Sequence, residues 1–164
     1  MALVLFFGKG APSRSSLAGV VLPSADGSLE QDLGACPTPM CLSIYVSPWC
    51  SICRASTPLL KKLPPWLGER GVTARIVVGR DQEDQIRDYA EEFGASALVD
   101  MGAEFPLQGG VPSFVVSDGA GKILKVMPGV PRIYTEPIRN EYLAEVAKFL
   151  ELIEVRPEVI AINP

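Results

Sequence analysis

Cys41-Leu42-Ser43-Ile44-Tyr45-Val46-Ser47-Pro48-Trp49-Cys50-Ser51-Ile52-Cys53-Arg54-Ala55-Ser56-Thr57-Pro58 is the stretch that decides the fold. Leu42 to Val46 is apolar, with β-branched and aromatic residues, and reads as a buried strand. Ser47-Pro48 stops that strand, and the residues after Cys50-Ser51-Ile52-Cys53 favour a helix. A strand feeding a helix through a turn brings Cys50 to the helix N-terminus. There, unpaired backbone N–H groups and the helix dipole stabilise a thiolate. Cys53 falls one turn further on, within reach of a small disulfide ring. The layout is that of a redox dithiol.

A Cys-x-x-Cys pair also occurs as half of a zinc site, or as two buried thiols. The chain contains no His, so a zinc site would need Cys36 and Cys41 as its other ligands. Cys41 opens the strand that ends before Cys50, and five or six extended residues span roughly 17–20 Å. One metal ion cannot bridge that distance, and no metal or cofactor is expected.

The 164 residues suit one domain with a sizeable core, and 48% of them are hydrophobic. A formal net charge of −4 argues against nucleic acid as a partner. No basic run exceeds Lys61-Lys62, which reads as a solvated helix face. Four cysteines lean towards an oxidising compartment. Met1 to Phe7 is apolar but too short for a membrane span, and without a basic start it is a poor signal sequence. Ala2 to Phe7 is therefore expected as a strand.

Residues 8–40 are rich in Gly, Pro, Ser and Asp, with a short strand expected in Leu17–Leu22 and a turn at Asp26-Gly27. After Cys53 the helix turns Leu59, Leu60 and Leu63 inward. Pro58 removes one of its hydrogen bonds, and Pro64-Pro65 is expected to end or break it. Ala74–Val78 is the next strand. Gln82–Phe93 is a helix, with Ile86, Tyr89, Ala90 and Phe93 on one face. Strand, crossing helix and strand imply parallel neighbours in one sheet. Ala97–Val99 is expected as a short edge strand, and Asp100–Gly109 as a loop. Phe114–Ser117 and Ile123–Met127 form a hairpin across Asp118-Gly119. The last helix is expected near Ile138–Glu154, with Tyr142, Val146, Phe149, Leu150 and Ile153 inward.

Gly110-Val111-Pro112-Ser113-Phe114-Val115-Val116 puts a proline at the mouth of an apolar strand. With Trp49-Cys50-x-x-Cys53, Pro58 five residues after Cys53, the Asp118–Gly121 turn, Gly129 and the C-terminal amphipathic helix, the chain resembles the thioredoxin superfamily. The resemblance covers roughly Leu42 to Leu152, and Leu22-Pro23-Ser24-Ala25-Asp26-Gly27 is similar to the lead-in of secreted or membrane-tethered members. It implies a three-layer α/β sandwich, a central mixed sheet with helices on both faces. The domain would occupy residues 41–154, after a lead-in over 1–40 and before a tail over 155–164. It also implies a cis bond before Pro112, facing the dithiol.

By that resemblance the chain is a thiol–disulfide oxidoreductase of unassigned direction, monomeric and periplasmic or otherwise extracytoplasmic, with no membrane span. Its partners would be protein substrates and a redox protein, joined through transient mixed disulfides. Cys50 would be the nucleophile, at the exposed helix start, and Cys53 the resolving thiol. Pro48 and Trp49 would shape the rim, while Val111 and Pro112 would present backbone to a substrate strand.

Two positions depart from the family. Ile44 stands where many reductases have a buried acid, which leaves Glu104 as a loop candidate for a proton acceptor. Ser51-Ile52 between the cysteines matches neither thioredoxins nor glutaredoxins and holds no His to stabilise the Cys50 thiolate. For Cys36 and Cys41, across Pro37-Thr38-Pro39-Met40, two readings stay open: a structural disulfide, or small core residues. The functional alternatives are a non-catalytic interaction module on the same fold and a copper-delivery protein. The absence of His speaks against the second. A peroxidase of the peroxiredoxin kind fits poorly with a paired cysteine.

Overall fold

The computed structural model describes residues 15–153. The strand expected at Ala2–Phe7, the tail after residue 154 and the last residue of the expected C-terminal helix lie outside them. In chain order the elements are β1 (Val21–Pro23), β2 (Glu30–Asp32), β3 (Met40–Val46), α1 (Ser51–Gly68), β4 (Thr73–Gly79), α2 (Glu83–Glu92), β5 (Leu98–Asp100), β6 (Ser113–Asp118), β7 (Ile123–Pro128) and α3 (Asn140–Phe149). Among the described residues, no helix is long and apolar enough to cross a membrane.

The sheet has the order β5-β4-β3-β6-β7. β3 lies at its centre, parallel to β4 and antiparallel to β6, so Ile44 stands between Ile76 and Phe114. Strand period then sorts the side chains. Leu42, Ile44, Val46, Ile76, Val78, Phe114 and Val116 enter one apolar cluster, while Tyr45, Val77 and Val115 enter another on the opposite face.

The mixed-sheet α/β architecture is the one expected, but its second outer layer is not helical. The buried apolar residues of α1, α2 and α3 all belong to the first cluster. Crossover handedness explains this. The steps β3 to β4 and β4 to β5 move the same way across the sheet, and two right-handed crossovers in one direction put α1 and α2 on one face. The opposite face is covered by Leu17, Leu22 and Leu33 of the N-terminal segment and by Phe105 and Leu107 of the loop after β5.

Two helices differ in detail from expectation. Pro64-Pro65 does not end α1, which runs on to Gly68. The two prolines leave the Leu60 and Lys61 carbonyls without their helical donors. Burial of Leu63, Trp66 and Leu67 holds the last turns, and Arg70 adds to it, its guanidinium 3.7 Å over the Trp66 ring. In α3 the buried stripe is Leu143, Val146 and Ala147, continued by Leu150 at the C-cap. Phe149 is 51% exposed rather than inward, with the Lys125 ammonium 6.0 Å from its ring. Tyr142 is half-buried, its ring 5.0 Å from that of Tyr134, which occupies the core beside it.

Candidate functional site

β3 ends at Val46, and four residues later Cys50 is the N-cap of α1. The Cys50 N–H donates to the Ser47 carbonyl at 3.1 Å, which folds Ser47-Pro48-Trp49 into the turn. The Cys53 N–H donates to Cys50 Sγ at 3.1 Å, so one of the free donors of the first turn is aimed at that sulfur. No acidic side chain lies in the first turn to oppose the helix dipole.

Cys50 and Cys53 are bridged, with their Cα atoms 5.2 Å apart. Their burial is graded. Cys53 is fully covered and Cys50 is 5% exposed, so the nucleophile expected to be open is a nearly covered residue in the bridged state. The loop before β6 lies against it: Cys50 Sγ is 3.7 Å from the Val111 carbonyl oxygen. The Val111–Pro112 bond is cis, as expected, and Pro112 is buried. The Pro112 carbonyl accepts from the Gly129 N–H at 2.7 Å, which brings the segment after β7 to the same place.

The rim is apolar and exposed. Trp49 is 64% and Ile52 46% exposed, with half-buried Val111 opposite. Trp49 is nevertheless held, since its Nε1 donates to the Arg80 carbonyl at 2.9 Å. Pro48 is buried, and its carbonyl accepts from Arg54 Nε at 3.0 Å. Arg54, beside Cys53, also pairs with Glu92 at 2.8 Å and lies 4.0 Å over the Tyr89 ring. Its charge is thus directed onto α2.

The geometry does not bring Glu104 to the dithiol. Its side chain is exposed and folds back beside Gly102 in its own turn, while Cys53 is sealed in the core. The carboxylate buried nearby is Asp100, 1% exposed, and sequence reasoning passed over it. It accepts from the Tyr45 hydroxyl at 2.8 Å and from the N–H groups of Glu104 and Phe105 at 2.7 and 3.2 Å. Burial, then the Asp100 charge, pushes the Tyr45 hydroxyl pKa up. A lone tyrosine in an aliphatic strand was the only signal. Its partner lies 55 residues away, and no local pattern links the two.

Cys36 and Cys41 are also bridged, which decides between the two readings left open for them. Cys41 sits at the start of β3, the opposite end from the dithiol.

No protein-family model matches the chain, and no curated protein matches it in sequence. Solved structures match it in shape. An exposed lipoprotein thioredoxin from Streptococcus pneumoniae superposes with a TM-score of 0.62 at 19% identity, over 81% of this chain and 98% of that one. A secreted disulfide oxidoreductase from Mycobacterium tuberculosis gives 0.58 at 16%, over 84% and 99%. A thiol:disulfide interchange protein of the thioredoxin family from Chlorobium tepidum gives 0.57 at 18%, over 87% and 98%.

Proposed function

We propose that this chain, which has the thioredoxin fold, is a thiol–disulfide oxidoreductase acting on protein substrates through Cys50 and Cys53. One observation carries the reading: a Cys-x-x-Cys disulfide caps the N-terminus of α1 with the Val111 carbonyl against Cys50 Sγ. A scaffold that only docks partners would not need that conjunction.

In the reducing direction, the Cys50 thiolate attacks one sulfur of a substrate disulfide. A Cys50–substrate disulfide forms and one substrate thiolate leaves. The Cys53 thiolate then attacks Cys50 Sγ, which closes the Cys50–Cys53 bond and releases the second substrate thiolate. Two electrons pass from the dithiol to the substrate, and a redox partner protein restores the dithiol by the same exchange. Run backwards, the steps oxidise a substrate dithiol, and the relative potentials of the partners set the direction. The Cys53 N–H and the helix N-terminus both stabilise negative charge on Cys50, and neither reaches Cys53 in the same way. Trp49, Ile52 and Val111 offer apolar contact. The Val111 N–H and C=O are the backbone groups that would pair with an extended substrate chain. Two disulfides from four cysteines suit an extracytoplasmic compartment, in keeping with the exposed and secreted proteins of like fold.

The test separates the two thiols. Cys53→Ser keeps the attack and removes the release, so partner proteins should accumulate on Cys50 as reductant-sensitive adducts on a non-reducing gel. Cys50→Ser should trap nothing. Adducts on Cys53 in the Cys50→Ser protein, or none in either, would refute the assignment.

A further inference from the structure

The two segments that flank the dithiol, Val111-Pro112 and the turn carrying Trp49, are anchored at one buried point. Tyr45 lies near the end of β3, three residues before Pro48, and its ring turns onto the face away from the helices. Its hydroxyl crosses over β4 to reach Asp100, and Gly79 leaves the room for it, since a Cβ there would collide with Tyr45 Oη and stand 3.0 Å from Asp100 Cβ. Asp100 closes β5, and its carboxylate takes two N–H groups of the loop that follows, those of Glu104 and Phe105. The Phe105 ring then packs 5.0 Å from the Tyr45 ring. That loop crosses the sheet to Val111-Pro112. Ser113, the residue after the cis bond, is the cross-strand partner of Tyr45 itself.

The Trp49 turn joins through Arg80. Its backbone is left-handed, φ +59°, an uncommon conformation for a residue with a Cβ. It turns the Arg80 carbonyl to Trp49 Nε1, while the guanidinium interacts with the Tyr45 hydroxyl, opposing the upward pKa shift that burial and Asp100 impose.

We infer that Tyr45 and Asp100 are positioning residues that set the spacing between the Cys50–Cys53 pair and the Val111-Pro112 docking segment, and so govern recognition of an extended disulfide-bearing chain. The inference rests on the oxidoreductase reading. Neither residue touches the sulfurs. Their effect falls on substrates that must lie along the docking segment, and a disulfide too small to reach it is indifferent to them.

Reduced wild type, Tyr45→Phe and Asp100→Asn are compared in saturation kinetics with a disulfide inside an extended peptide, and with dithiobis(nitrobenzoate). Asp100→Asn puts an amide donor where three donors converge. Tyr45→Phe keeps the ring and deletes one arm, so it serves if the asparagine variant fails to fold. For the peptide, KM should rise by about tenfold with kcat little changed, the scale of losing one pre-ordered loop. The dithiobis(nitrobenzoate) rate and the reduction potential of the dithiol should stay at wild-type values. A role in stability alone would lower the melting temperature and leave that KM split absent. Folded variants with wild-type KM, or equal losses on both disulfides, overturn the inference while the oxidoreductase reading stands. A wild type that exchanges with neither disulfide overturns both.

Discussion

Removing the second disulfide should cost stability without costing exchange. Cys36 and Cys41 are five positions apart, so the bridge closes a short ring. Chain-entropy arithmetic for a ring of that size gives about 2 kcal/mol. Cys41 is fully buried and Cys36 half-buried, so the suitable replacement is Cys36→Ser with Cys41→Ala. A serine at 41 would add the cost of an orphaned hydroxyl. The turn keeps other ties: the Thr38 hydroxyl donates to the Met40 carbonyl at 2.7 Å and accepts from the Thr73 N–H at 3.1 Å. These hold part of the loop order, which puts the expected loss near the entropic figure. For a chain of this size it corresponds to a melting temperature lower by about 4–8 °C. Exchange should persist, because the stretch of β3 from Cys41 to Val46 separates the two pairs by roughly 17–20 Å. Calorimetry of the oxidised proteins and turnover on a peptide disulfide give the two readouts. A folded variant that has lost turnover would mean electrons pass through Cys36–Cys41, and the separation argued here would fail.

Gly79→Ala should destabilise by about 1–3 kcal/mol through overpacking against Tyr45; adding Tyr45→Phe should recover part of that loss in chemical denaturation, a coupling that independent sites would not show. The hydroxyl pKa values of Tyr45, Tyr89 and Tyr134 are all raised, chiefly by burial. Folded values above the unfolded one mean that their stability is full below about pH 10 and is lost as pH rises beyond it. Denaturation midpoints across that range should fall less steeply in Tyr45→Phe, and an unchanged slope would contradict the burial argument. Asp26 moves the other way: the N–H and hydroxyl of Ser28, then the Ser24 hydroxyl, lower its pKa from 3.8 to about 2. Its contribution is present above 3.8 and disappears as pH falls through about 2, and an NMR titration of the Asp26 carboxyl near 3.8 would refute it.

The dithiol and its setting were legible in the chain because each part is a local pattern. The aliphatic run to Val46, the Ser47-Pro48 break and the helix behind Cys53 are all matters of neighbours in sequence. So are the helical spacing of Ile86, Tyr89 and Ala90 and the turn at Asp118-Gly119. Tertiary structure decided what local patterns leave free. Tyr142, Val146, Phe149 and Leu150 describe one possible stripe of α3, and Leu143, Val146, Ala147 and Leu150 another, half a side chain's rotation away. The fold buries the second, with the Tyr134 ring in the core tilted against that of half-buried Tyr142. Pro64-Pro65 opposes a helix by local rules, yet burial of Leu63, Trp66 and Leu67 outweighs the two lost hydrogen bonds. The face on which α2 lies follows from strand order, and strand order depends on contacts between β4 and β5 that no stretch of either contains. Asp100 belongs to the same class. In the chain it is an acid at the mouth of a loop, and only its burial against Tyr45 makes it the anchor of that loop. A hydrogen bond 55 residues long in sequence has no local signature, because its strength comes from the desolvated place where both ends meet.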